Sequence, residues 1–312
     1  MRLSDFLKIG GFRPIVLPHY ASDYEFTIRA SRMGMQLVSD VTCCLKVDTK
    51  TTGVHTLPFS SLNNFWMTIF SNKSVQNPFM WTAFILLSCP LKHKTRNILR
   101  VWLNFFTLFY QLIKFWLIDK KIMLFRLKKP LRAILGSGPV GQKGWLSTDV
   151  THLNVVSNKD WKKYFDVNSI EALLAEHVWE HLDEAEGTEA AKNCFTYLKP
   201  GGYLRIAVPD GFHPSKNYID MVKPMGNGVG SDDHKMLFNH VTLATMLESA
   251  GFVVELLEYY DKNGVFHKKD WDPKTGLIRR SVRFDDRNMN TDLNYTSLIV
   301  DAWKINGRTL VQ

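Results

Sequence analysis

The chain has 312 residues, 45% hydrophobic and 12% aromatic, which is enough apolar side chain for a substantial core and enough length for one large domain or two ordinary ones. Its four cysteines, Cys43, Cys44, Cys89 and Cys194, form no CxxC pair and no framework spacing, which argues against a disulfide-built scaffold and suits free thiols in a reducing compartment. The net charge of +9 is local: between Lys92 and Arg132 eleven Lys/Arg stand against one acid, Asp119, so that stretch carries +10 and the remainder is near neutral.

The opening residues, MRLSDFLKIGG, lack the apolar h-region of a secretory signal, and a cytoplasmic chain is expected. DYEFTIRASRMG reads as a helix with Phe26, Ile28, Ala30 and Met33 toward a core and Gly34 at its C-cap. The longer stretch GGFRPIVLPHYASDYEFTIRASRMGMQLVSD resembles the C-terminal part of a family 2 glycosyltransferase domain, with its glycine turn and its helix of the form DLxLRAxxxG. On that resemblance Asp23 matches the catalytic base and Arg29 the helix arginine, while Ser22 stands where the family has an acid. The family's nucleotide-sugar half, with its DxD motif, would precede Met1. Residues 1–122 therefore read as a partial glycosyltransferase-like segment, and the bottom-up alternative for Asp23 is a solvated helix N-cap.

From Leu62 the chain becomes strongly apolar. Ile98 to Ile118 is long enough to span a bilayer, but Arg100, Asn104, Thr107, Gln111 and Lys114 fall on one helical face of it. A wide apolar face with one polar stripe and basic flanks suits a helix lying in a membrane interface, and equally a helix packed on another domain. A span would bury charge at a cost. Residues 62–120 are thus the candidate peripheral membrane contact. Nucleic acid is not expected as a partner, because the basic residues interleave with apolar helix instead of lining a groove with exposed aromatics. Pro130, after Lys128-Lys129, closes this region, and a second domain is expected over 123–312.

That domain opens on LRAILGSGPVGQKGWLSTD, residues 131–149. It reads as a strand (Ala133–Leu135), a glycine turn (Gly136-Ser137-Gly138) and a second strand (Trp145-Leu146) leading to Asp149. Glycines after a strand let main-chain N–H groups approach a cofactor, and a carboxylate after the next strand accepts from ribose hydroxyls. Further strands are expected at 169–176, 203–210, 252–261 and 295–305. Helices are expected over 178–198 and 240–252, with a turn at Lys199–Gly202. The alternation predicts an α/β sandwich with a mostly parallel sheet.

LGSGP, Asp149, SIEALLAEHVWEHL and LKPGGYLRIAVPD, in that order, resemble class I S-adenosylmethionine-dependent methyltransferases, a Rossmann-like doubly wound fold. The resemblance implies S-adenosylmethionine as cofactor. Gly136, Ser137 and Gly138 would lie at its methionine end, Asp149 at the ribose, Asp160 near the adenine, and Glu176 and His177 over it. His177, His213, Asp233 and His234 are the candidates for base and acceptor contacts, in the company of Asp210, Tyr218, Asp232 and Lys235. No metal is expected. His177-Val178-Trp179-Glu180-His181 fits the zinc-protease pattern HxxEH, but it sits at a strand-to-helix junction and would need a third ligand, so Glu180 and His181 are read as capping or packing residues. Arg279, Arg280, Arg283 and Arg287 read as a solvated face paired with Asp285 and Asp286, with contact to an anionic acceptor as the alternative. A small-molecule or glycan acceptor is expected, the glycan by association with the N-terminal segment; the competing role is a non-catalytic scaffold at a membrane surface.

Overall fold

The computed structural model describes residues 2–38, 62–288, 293 and 295–305; Cys43 and Cys44 lie outside them. The chain divides into two compact units, Met1–Ile118 and Asp119–Gln312.

The first unit is helical. Helices α1 (Leu3–Ile9) and α2 (Ser22–Arg32) pack through Ile9, Phe26 and Ala30. Arg29 locks this pair: it donates to both Glu25 carboxylate oxygens and to the carbonyls of Ile9 and Gly11. Asp23 is exposed on the first turn of α2, and the N-cap position is Ala21, not Asp23. Met33, expected in the core, is exposed beyond the end of the helix, where Gly34 takes the left-handed φ of +81°. Helices α3 (Leu62–Phe70), α4 (Pro78–Ser88) and α5 (Leu91–Phe125) follow. Helix α5 extends well past both ends of the 98–118 stretch, because the flanking Lys and Arg residues are good helix formers and Pro90 stands just before its first turn. Phe105, Leu108 and Leu112 pack on Phe65 and Ile69. Leu99, Leu103, Phe106, Tyr110, Trp116 and Leu117 of the same helix are exposed, as are Arg100, Asn104, Thr107, Gln111 and Lys114. By length and composition α5 is able to cross a membrane.

The second unit holds a seven-stranded sheet. In chain order its elements are β1 (Arg132–Leu135), β2 (Leu146–Ser147), α6 (Asn158–Tyr164), β3 (Ile170–Glu176), α7 (Glu184–Tyr197), β4 (Leu198–Val208), α8 (Lys216–Val222), α9 (His240–Ser249), β5 (Val253–Tyr260), β6 (Phe266–Lys268) and β7 (Leu298–Trp303). The strand order is β2-β1-β3-β4-β7-β5-β6. Strands β2, β1, β3 and β4 are parallel, β7 is antiparallel to both its neighbours, and β6 closes the far edge as a hairpin partner of β5. From β1 the chain steps outward to β2 and then returns to β3 on β1's other side, so the strand order reverses between β1 and β3.

The central strands are apolar on both faces, as buried parallel strands must be. One face presents Ile134, Ala172, Leu174, Ala207 and Ile299, packed with Trp145, Leu257 and Ile278. Its cover includes Trp271 and Ile278 from the stretch between β6 and β7. That stretch is anchored by a buried pair at facing register positions: Arg205 on β4 donates to both Asp301 oxygens on β7 at 2.7 Å and to the carbonyl of Gly276. Two details differ from the pattern read in the sequence. The stretch 178–198 is not one helix: a 3-10 turn at Trp179–His181 ends at Leu182, and α7 begins anew behind an Asp183–Glu186 capping box. Lys199–Gly202, expected as a turn, runs inside β4 as an irregular register with Gly201 at φ +77°.

Candidate active site

The point where the strand order reverses is where ligands bind in open α/β sheets, outside the carboxyl ends of the strands. Here the ends of β1 and β3 lead into Gly136 and His177. Gly136 has φ +59°, and a Cβ on it would meet Cγ2 of Val178 at 2.7 Å; the left-handed backbone and the Val178 side chain, on the chain leaving β3, both favour glycine there. The turn is tied to the end of β2. Ser137 N donates to the carbonyl of Thr148, and Gly138 N donates to Oδ2 of Asp149 at 3.1 Å. The Asp149 carboxylate thus sits against the glycine turn.

A cavity of about 210 Å³ opens at this crevice, lined by Gly136, Ser137, Val140, Gln142, Glu176, His177, Arg279 and Arg280 among others. A second, of about 740 Å³, is lined by Glu176, His177, Glu180, His181, Met221, Val229, Asp233, His234, Arg280, Arg287 and Tyr295, with smaller contributions between. The two share Glu176, His177 and Arg280. Glu176 accepts from the main-chain N–H of Arg280 at 2.8 Å, which brings the arginine segment over the carboxyl end of β3.

His177 forms the hinge between the cavities. Its backbone is left-handed, with φ +56°, a conformation unfavourable for a side chain of this size and concentrated at functional positions. Its main-chain N–H is held by the carbonyl of Ala207, its Nε2 lies 3.1 Å from Ser297 Oγ, and its Nδ1 lies 2.7 Å from Oε1 of Glu180. Glu180 is fully buried. Burial pushes its carboxyl up, but His177 and then His181 outweigh this and hold it below the usual glutamate range. The loop carrying Asp233 and His234 reaches this point through the backbone. The N–H groups of Lys235 and Met236 both donate to the carbonyl of Glu180, and Lys235 Nζ bonds Glu186 on α7. Asp233 Oδ1 then lies 2.9 Å from His181 Nδ1.

Of the residues expected at a cofactor, Gly136, Ser137, Glu176 and His177 line the smaller cavity. Gly138 and Asp149 stand beside it without lining it. Asp160 lines neither cavity, because its carboxylate closes the loop before α6 by accepting from Asn154 N. His177, Asp233 and His234 line the larger cavity; His213 does not. The His213 ring is stacked on Tyr218 at 3.9 Å and accepts from Ser215 N, and burial lowers its pKa. Asp210 is buried and holds β4 to β5 by accepting from Phe212 N and Tyr260 N. Neither lines either cavity. Arg279, Arg280 and Arg287 line cavities and do not form a purely solvated face, although Arg287 does pair with Asp285. Glu180, His181, Met221 and Tyr295 were not expected as cavity walls. HxxEH was the one signal for the first two; nothing local marks the others.

No protein-family model and no curated protein matches the chain. Solved structures are similar to part of the chain. A SAM-dependent methyltransferase from Archaeoglobus fulgidus is 15% identical over 60% of this chain and 93% of its own, with a TM-score of 0.33. A SAM-dependent methyltransferase from Thermotoga maritima, described as a possible histamine N-methyltransferase, is 12% identical over 62% and 95%, at 0.35. An O-methyltransferase family protein from Burkholderia thailandensis is 12% identical over 65% and 60%, at 0.34. Strand order and direction, and not these distant likenesses, define the fold.

Proposed function

We propose that the second unit is an S-adenosylmethionine-dependent methyltransferase acting on a small polar acceptor, a glycan or another small molecule. The observation that carries this is the cavity at the β1/β3 crevice, walled by a glycine in a left-handed turn where a Cβ would press on Val178, with Asp149 held against the same turn. The site suits a nucleoside-bearing sulfonium. The Gly136–Gly138 turn brings its backbone close to a ligand, Asp149, beside the cavity at the end of β2, is the acceptor for ribose hydroxyls, and Glu176 and His177 line the cavity itself. S-adenosylmethionine supplies an activated methyl group on a good leaving group.

What the chain adds is position and proton handling. The larger cavity, within the size range of small-molecule sites, takes the acceptor against Met221, Val229 and Tyr295. His177, shared by both cavities, lies where an acceptor proton has to leave. Arg280 and Arg287 favour an acceptor with an anionic group. Alignment of acceptor and methyl group provides much of the acceleration, and a base is needed only for a protonated nucleophile. For the first unit we propose peripheral membrane contact through residues 62–120, on the exposed apolar side chains of α5 and its basic ends. Flotation with anionic vesicles tests it; no flotation at low salt would count against it.

Calorimetric titration of the full chain with S-adenosylmethionine tests the enzymatic proposal. Saturable binding is expected, weakened about 10- to 150-fold in Asp149→Ala by loss of charged hydrogen bonds worth about 1.5–3 kcal/mol. A folded wild-type chain that does not bind the cofactor would leave the scaffold role at a membrane surface.

A further inference from the structure

Glu180 is buried on the wall of the larger cavity. Its Oε1 contacts His177 Nδ1 at 2.7 Å without the alignment of a hydrogen bond, and both its oxygens are buried with no hydrogen-bond partner. Such groups are rare in folded proteins unless something else satisfies them. His181 and His234 stand beside it: one ligand atom from each of Glu180, His181 and His234 lies within 4.8 Å of the others.

His234 has the outer support that ligating histidines usually carry. His234 Nδ1 lies 2.7 Å from the carbonyl of Val222. A carbonyl only accepts, so Nδ1 bears the hydrogen and Nε2 keeps its lone pair. The Asp233 carboxylate lies 2.9 Å from His181 Nδ1, which, like the Glu180 oxygens, makes no aligned hydrogen bond. The two segments are brought together by main-chain bonds from Lys235 and Met236 to Glu180, so the cluster is assembled by the fold itself.

We propose that Glu180, His181 and His234 form a binding site for one divalent transition ion of the zinc type. Two imidazoles and a carboxylate favour such an ion over magnesium or calcium, which take oxygen ligands. Three protein ligands leave coordination open, and all three line the larger cavity, so the ion takes an oxygen or nitrogen lone pair of the acceptor. This role rests on the acceptor cavity proposed above; the ion site does not.

The test uses the untagged full chain, stripped with chelator. Co²⁺ is added and followed by its visible d–d absorption, and Zn²⁺ and Mg²⁺ are titrated in parallel by calorimetry. One equivalent of Co²⁺ and of Zn²⁺ is expected to bind, at least tenfold more weakly in His234→Ala and Glu180→Gln and unchanged in Asp149→Ala. Circular dichroism and melting confirm that the variants are folded, and His234→Gln is the second variant if His234→Ala fails to fold. No saturable binding by the folded wild type overturns the site. Binding undiminished in the folded His181→Asn and His234 variants, or Mg²⁺ bound as tightly as Zn²⁺, does so equally. S-adenosylmethionine titrated into the same metal-free sample separates the two proposals, since either ligand binds or fails to bind without the other.

Discussion

Gly136→Ala should disturb both the stability of the second unit and its proposed cofactor site, and the structure gives the size of the effect. An L residue in the left-handed region, where Gly136 sits at φ +59°, costs about 1–2 kcal/mol. Its Cβ would also lie 2.7 Å from Cγ2 of Val178, an overpacking of the kind that costs about 1–3 kcal/mol. Together the loss is about 2–5 kcal/mol, toward the lower end if the half-buried Val178 rotates away. Denaturant unfolding measures it directly. Cofactor affinity should fall about tenfold for each 1.4 kcal/mol by which the turn must shift. Val178→Ala, costing about 1 kcal/mol alone, removes the clash but not the backbone strain. The double-mutant cycle should therefore show a favourable coupling of about 1–3 kcal/mol. Gly136→Ala with a wild-type midpoint, or a cycle with no coupling, would refute the close approach of the two segments.

Two further outcomes follow from the sheet. Arg205→Met leaves Asp301 buried without its partner and should cost about 3–5 kcal/mol, whereas Arg205→Met with Asp301→Leu should recover most of it; thermal melting checks both. Lys199, then Arg132, hold the Glu171 carboxyl below its ordinary value. A depressed carboxylate stabilises fully above its unfolded value and loses that contribution as pH falls through the lower folded one, so stability should drop in the acid range. Glu171→Gln should remove this slope at a cost of no more than about 1 kcal/mol, because the group is partly solvated; urea midpoints between neutral and acid pH report it.

The sheet was legible because buried parallel strands announce themselves as short apolar runs, and residues 133–135, 170–176 and 203–208 are of that kind. The LKPGG run and Gly251 also stood out. The break after His181 was less visible, although Asp183 and Glu186 have capping-box spacing. An apolar-flanked HVWEHL has helical composition, and only the tertiary course of the chain bends it into a single 3-10 turn. Strand β6 and helix α8 are too short for periodicity to mark them. The candidate site was harder still. His234 meets His181 because two N–H groups of its loop find the Glu180 carbonyl, a pairing across more than fifty residues of chain that no spacing encodes. Asp210 and His213 stood out by type and position, and the structure engages both in bonds to main-chain N–H groups away from the two cavities. The facing charges Arg205 and Asp301 were legible in principle, since a charge within the apolar run of each of two strands asks for the other.

Glu176, His177 and Arg280 belong to the walls of both cavities, and that shared wall has a thermodynamic consequence. A ligand that shifts any of these three side chains in one cavity changes the free energy of binding in the other. Linkage makes the effect reciprocal: whatever factor the proposed cofactor applies to the affinity of an acceptor, the acceptor applies to the cofactor. Two dissociation constants, each measured with and without the second ligand, close a cycle that has to balance. A third chemical species is not needed to observe communication across His177, only the same two ligands added in either order.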